Sequence, residues 1–144
     1  MGASTEASNS NLGKATDFED FLAMNQENML TLTFSEYLMM LLEQNELKRA
    51  DVVRDSGLEK AYVYQIFDGE KKPSRDKLIA LAFGLHLNVE ETQRMLKLGG
   101  CSELYARTKR DALILFCILR KKSIYDTDVA LYKRGLDTLL PRDN

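Results

Sequence analysis

Cysteine and histidine are scarce in this chain of 144 residues: Cys101, Cys117 and His86 are all there are. Neither cysteine has a Cys or His neighbour at ligand spacing, so a zinc site or a disulfide framework is not expected. Cys117 lies within an apolar helical run, where a reduced, buried thiol is the default, and the cytoplasm is the expected compartment. A single imidazole leaves no second histidine for metal or triad work. There is also no glycine-rich phosphate loop and no carboxylate pair with an evident pocket, so neither an enzyme nor a cofactor is expected. Long hydrophobic runs are missing too: the longest, Ala112 to Leu119, is far too short for a bilayer. The opening MGASTEASNSNLGKATDFED has neither the basic start nor the apolar core of a signal peptide. Gly2 after Met1 is a poor match to a lipidation signal. No membrane or small-molecule partner follows from the residues.

What is present suits an ordinary globular protein, with 44% hydrophobic and 29% charged residues. A chain of this length buries roughly two-thirds of its unfolded surface, enough to fold without a metal or cross-link. The net charge of -2 argues against a nonspecific polyanion binder, but the charge is unevenly placed. Residues 1–32 hold one basic and five acidic residues, a net of -4, whereas residues 101–144 hold nine basic and six acidic, a net of +3. An acidic arm of this kind either attracts the basic tail or competes with phosphates.

Residues 1–16, rich in Ser, Thr, Asn, Gly and Ala, are expected to be disordered. At Asp17 a short helix can start, with Asp17 and Asp20 at its positive end and Phe18, Phe21 and Leu22 on one face. From Thr33 the signals sharpen. Thr33 with Glu36 forms a capping box, and Phe34, Tyr37, Leu38, Leu41 and Leu42 fall in one helical stripe. The next helices are expected from about Lys48 to Ser56, stopped by Gly57, and from about Glu59 to Phe67, stopped by Gly69. Pro73-Ser74 opens a fourth with Leu78, Ile79, Leu81, Ala82 and Leu85 packing. Asn88 with Glu91 caps a fifth carrying Met95, Leu96 and Leu98, ended by Gly99-Gly100. Two more helices follow. Arg110 to Lys121 is apolar almost all round, so it is either central or an oligomer seam. The other, capped by Ser123, carries Tyr125, Val129, Tyr132 and Leu136 on one face and ends near Gly135. No strand pattern occurs, so the fold class is all-α. The expected domains are 1–32 as tail and helical arm, 33–98 as the central domain, and 99–144 as a helical extension that packs on it or dimerises.

The informative stretch is LKRADVVRDSGLEKAYVYQIFDGEKKPS, Leu47 to Ser74. Gly57 supplies the left-handed residue that a tight turn between two short helices needs. Leu58, Val52, Val63 and Ile66 can lock that pair to the first helix, leaving Lys60, Ala61, Tyr62, Tyr64 and Gln65 facing out. This stretch resembles the Cro/repressor (XRE-like) helix-turn-helix regulators. The likeness rests on Leu47, Gly57, the β-branched Val63 and Ile66, Gly69 and Pro73-Ser74, and with the five-helix pattern it covers nearly half the chain. The flanks resemble an extension found in a subgroup of these regulators in Gram-positive bacteria.

The resemblance implies a phage-repressor-like domain and a sequence-specific transcriptional regulator of double-stranded DNA, whose second helix of the pair enters the major groove. It implies base-facing roles for Lys60, Ala61, Tyr62 and Gln65, and phosphate-facing roles for Arg49, Tyr64, Lys71 and Lys72. It also implies a homodimer, because one reading helix covers only a few base pairs. Three departures stand out. Val53 replaces a usual Ala, Ser56 a common apolar residue, and Glu59 opens the reading helix where it repels phosphate. Across Lys48 to Lys77 there are eight basic and six acidic residues, a surplus of only +2. The alternative is a protein-interaction module that keeps the fold without binding DNA, favoured by Glu59, Asp68 and Glu70. Arg107, Lys109 and Arg110 precede a helix, an unfavourable place for cations that suggests an acidic partner.

Overall fold

The structure is a computed structural model that describes residues 17–20 and 32–141. The chain divides into two compact units, Met1–Leu32 and Thr33–Asn144. In the first, Asp17 starts a helical turn over residues 18–20 by accepting the Asp20 amide on its carboxylate at 2.8 Å. Phe21 and Leu22, and the expected disorder of residues 1–16, fall outside the described residues.

The second unit is all-helical. Its described residues form seven helices, α1 (Phe34–Gln44), α2 (Arg49–Ser56), α3 (Lys60–Phe67), α4 (Arg75–Gly84), α5 (Val89–Leu98), α6 (Lys109–Leu119) and α7 (Ile124–Lys133). No strand occurs among the described residues, and none of their helices is long and apolar enough to cross a membrane. The local start signals work as read. Thr33 Oγ1 accepts the Glu36 amide at 3.1 Å while Glu36 accepts the Thr33 amide at 2.8 Å. Asn88 and Glu91 make the same reciprocal pair at 2.8 and 3.0 Å. Ser123 accepts the Asp126 amide at 3.0 Å and starts α7.

Three helix stops had no glycine to announce them. Glu46, His86 and Lys121 take positive φ angles of 53, 59 and 56° after α1, α4 and α6. Each is followed by an amide that reaches back across the last turn: Leu47 to Leu42, Leu87 to Ala82 and Lys122 to Cys117, at 2.9–3.1 Å. A side chain in this region costs about 1–2 kcal/mol, partly offset by the chain entropy glycine loses on folding. Lys121→Gly is therefore expected to stabilise the protein by about 0.5 kcal/mol, read as a higher midpoint in thermal unfolding.

Helix α4 is the pillar of the unit. After its first turn every residue from Leu78 to Gly84 is buried, with α2, α5 and α7 packed around it. Leu38 and Leu41 from α1, Val52 from α2, Val63 and Ile66 from α3, and Met95 and Leu96 from α5 close one side. Ile114 of α6 and Ile124 and Leu131 of α7 complete the core. The all-round apolar helix was expected at Arg110 to Lys121, but α6 is two-faced. It buries Ile114, Cys117 and Ile118 and leaves Phe116 and Leu119 exposed. Leu98 is exposed at the end of α5. In α7 the buried face is Ile124, Thr127 and Leu131; of the face read from the sequence, Tyr125, Val129 and Tyr132 are exposed while Leu136 is half-buried against the core.

Two ion pairs fasten α6 to α4. Arg75 donates to both oxygens of Asp111 at 3.3 and 2.8 Å, and also to the Ser102 and Glu103 carbonyls. Arg110 donates to both oxygens of Asp76 at 3.1 and 3.0 Å and to the Asp137 and Thr138 carbonyls. Arg110 therefore has its acidic neighbour, Asp76, within the same unit. From Asp128, one carboxylate accepts the amides of Leu139 and Leu140 at 2.7 and 3.0 Å, which lays the last described residues against the body.

Candidate nucleic-acid interface

Helix α2 begins where Asp51 accepts the Lys48 amide at 2.9 Å, and it ends at Gly57, left-handed at φ +73°, whose amide donates to the Val53 carbonyl at 3.2 Å. Ser56, the departure noted above, is fully buried and has two tasks there. Its hydroxyl accepts the buried Leu58 amide at 3.1 Å and donates to the Val53 carbonyl at 3.4 Å. Its β-carbon also meets α4 at Gly84, where an added Cβ would stand 2.7 Å away. A bulkier apolar residue at 56 would leave that amide unpaired and push the two helices apart. Val53 is half-buried against the core.

The turn is covered from outside by Leu140 and Tyr125. A β-carbon on Gly57 would lie 2.5 Å from Leu140 Cδ1, and the Tyr125 hydroxyl donates to the Arg54 carbonyl at 2.7 Å. Leu140 and Pro141 then line a small recess of about 180 Å³ with Leu58, Glu59, Tyr62 and Lys77 at the start of α3.

Helix α3 buries Val63, Ile66 and Phe67, which orients its other residues. Lys60 and Ala61 are exposed; Tyr62, Tyr64 and Gln65 are half-buried. Cations and rings alternate along this surface. Arg49 lies 5.3 Å from the Tyr64 ring and 5.5 Å from Phe67, and Lys60 lies 5.7 Å from the same Tyr64 ring. Tyr62 carries Lys77 of α4 at 5.6 Å, and burial pushes its phenol above the ordinary range. Such contacts hold a long side chain at a set position for about 0.5–1 kcal/mol at exposed sites. Lys71 and Lys72 are exposed on the loop after Gly69, beside Thr33–Ser35 at the start of α1. The structure therefore brings Arg49, Lys60 and Tyr64 together, and groups Tyr62 with Lys77; Lys71 and Lys72 stand apart on their loop.

Lys77 was missed by the sequence reading because its proximity to Tyr62 joins two helices across Gly69 to Ser74, and no spacing rule reports that. Asp68, 3.6 Å from Arg49, restrains one expected phosphate contact. Arg54 is occupied by Asp51 and Asp55 at 3.4 and 2.9 Å, and His86 lies 2.8 Å from Asp55. The Arg54 guanidinium, against a cost from burial and with help from His86, holds the Asp55 carboxyl below its usual range. Among the described residues no group of three or more His, Cys, Asp or Glu could hold a metal ion.

No family model matches the chain, and no curated protein or solved structure matches it significantly.

Proposed function

We propose that the chain is a sequence-specific regulator that binds double-stranded DNA, with α2 and α3 acting as a helix-turn-helix of the repressor kind and α3 entering the major groove. The observation that carries this reading is the start of α3: directly after a glycine turn, Lys60 and Ala61 are exposed on a helix whose opposite face is locked in the core. N-terminal residues of a reading helix are those that meet base edges. Lys60 can donate to guanine and Gln65 can pair with adenine, each worth about 1–3 kcal/mol against a wrong base when bidentate. Arg49, Tyr64, Lys71, Lys72 and Lys77 would face phosphates.

A second reading, a protein-interaction module, draws on the Arg49–Asp68 pair and on Glu59 at the helix start. Magnitude weighs against it. A surface ion pair at 3.6 Å is worth about 0–1 kcal/mol, so a phosphate can displace Asp68 at little cost.

Selection of the full chain on a random duplex library at low salt tests the two. Enrichment of a sequence motif is expected, and Lys60→Ala with Gln65→Ala should flatten that preference while the fold persists. Lys71→Ala should weaken all sequences alike and lower the slope of log affinity on log salt by about 0.9. A library that enriches nothing leaves the interaction module.

A further inference from the structure

We propose that the cleft where α1, α4 and α6 end and α5 begins is a binding site for a small amphipathic carboxylate, a molecule with one negative head on an apolar body. The cleft has a volume of about 520 Å³, inside the range of roughly 300–1,000 Å³ usual for small-molecule sites. Its floor is apolar. Ala82 and Phe83 at the end of α4, Leu87 just after it, Val89 of α5, and Ile118 and Leu119 of α6 all line it. Phe83, Leu87 and Ile118 are nearly buried, whereas Leu119 is 69% exposed. An apolar body lying on this floor would take the Leu119 side chain out of water.

Charge selects the head group. Lys121 and Lys122 line the same cleft, both exposed, and among the described residues neither takes part in an ion pair. The other ionisable groups there already have partners. The Glu91 carboxylate accepts the Asn88 amide at 3.0 Å, and His86 Nε2 lies 2.8 Å from the Asp55 carboxylate. Two ammonium groups thus outnumber the one carboxylate in the lining, and a single negative head is what that balance accepts.

The backbone points to the same place. Among the described residues, Glu46, His86 and Lys121 are the non-glycine residues with positive φ. His86 and Lys121 line this cleft, and Glu46 directly follows Asn45, which lines it too. Glycine would relieve the local strain at each, so a side chain kept there has a task that outweighs it. Lys121 in particular is retained against the stability that glycine would add, the usual signature of a residue kept for a contact outside the fold. The site does not depend on whether α3 reads DNA.

Titration of the full chain with decanoate, followed by amide proton–nitrogen NMR spectra, tests this. Saturable shifts are expected at residues 82–91 and 118–122, with a dissociation constant on the order of 0.1 mM. Decanol has the body without the charge and acetate the charge without the body, so each should bind at least about tenfold more weakly. Lys121→Gly with Lys122→Ala should weaken decanoate at least about tenfold while the thermal midpoint holds or rises, so that lost binding is told apart from lost folding. Leu119→Glu, at an exposed position, should weaken it as well by setting a like charge beside the head. Shifts that fail to saturate by about 2 mM, or that spread over every helix, would overturn the site. So would decanol binding as tightly as decanoate, or a double lysine variant that binds like the wild type.

Discussion

Gly84→Val is expected to destabilise the protein by about 3 kcal/mol, and Gly84→Ala by about 2, measured by urea unfolding with an unchanged slope. A β-carbon at Gly84 would stand 2.7 Å from Ser56 Cβ, 2.8 Å from the Val52 carbonyl oxygen and 3.1 Å from the Ser56 nitrogen. Two of those atoms are backbone of α2 and have no rotamer to escape into. Helix propensity alone favours alanine over glycine by about 1 kcal/mol, so a net loss measures a clash larger than that gain. Ser56→Gly in the Gly84→Ala background removes only one of the three close atoms, and rescue should be partial. On the proposed function, the alanine variant should also bind DNA more weakly than its loss of folded protein accounts for, because α2 carries α3. A neutral or stabilising Gly84→Ala would mean that α2 and α4 are not this close.

The second large effect is expected at Asp111. It accepts the Arg75 guanidinium through both oxygens and the Tyr105 amide at 2.8 Å, and its side chain is mostly buried. Burial pushes its carboxyl up, but the Arg75 guanidinium and the Tyr105 amide outweigh that and hold it below the usual carboxylate range. Asp111→Ala should cost about 3 kcal/mol, because it strands a half-buried guanidinium and an amide together. The sign of the pH dependence follows from the lowered value. The unfolded chain binds this proton first as pH falls, so the contribution is complete above the unfolded pKa of about 4 and is lost as pH drops through the folded one. Asp111→Asn should therefore lie below the wild type at neutral pH and converge with it in acid. A constant gap in thermal midpoint down to pH 2 (about two units below that unfolded value) would contradict the assignment.

Both effects arise where distant segments meet, and that is also where sequence reading stops. The capping pairs Thr33–Glu36 and Asn88–Glu91 were legible because both partners lie within one turn. Gly57 and Gly69 were legible because a positive φ favours glycine. The left-handed conformations of Glu46, His86 and Lys121 were not, since any residue can occupy that conformation when packing around the helix end outweighs the local cost. Helix α7 shows a different limit. Ile124–Thr127–Leu131 and Tyr125–Val129–Tyr132 both obey helical spacing, and periodicity cannot say which one α4 and α6 will cover. At the candidate interface, the exposure of Lys60 and Ala61 on α3 followed from its spacing, whereas Tyr62, Tyr64 and Gln65 are half-buried. The Lys77–Tyr62 pair, the Asp68 restraint on Arg49 and the cover of Leu140 over Gly57 did not.

Taken alone, the order of residues determined the helical class, most starts and stops of the elements from Thr33 onward, and the outward face of α3, because those depend on neighbours three or four positions apart. The tertiary structure decided that α4 and not α6 is the buried pillar, that Ser56 sits against Gly84, and that the tyrosine stripe of α7 faces outward. Burial is a property of how helices stack, and stacking is settled by contacts between residues tens of positions apart, where local spacing carries no information.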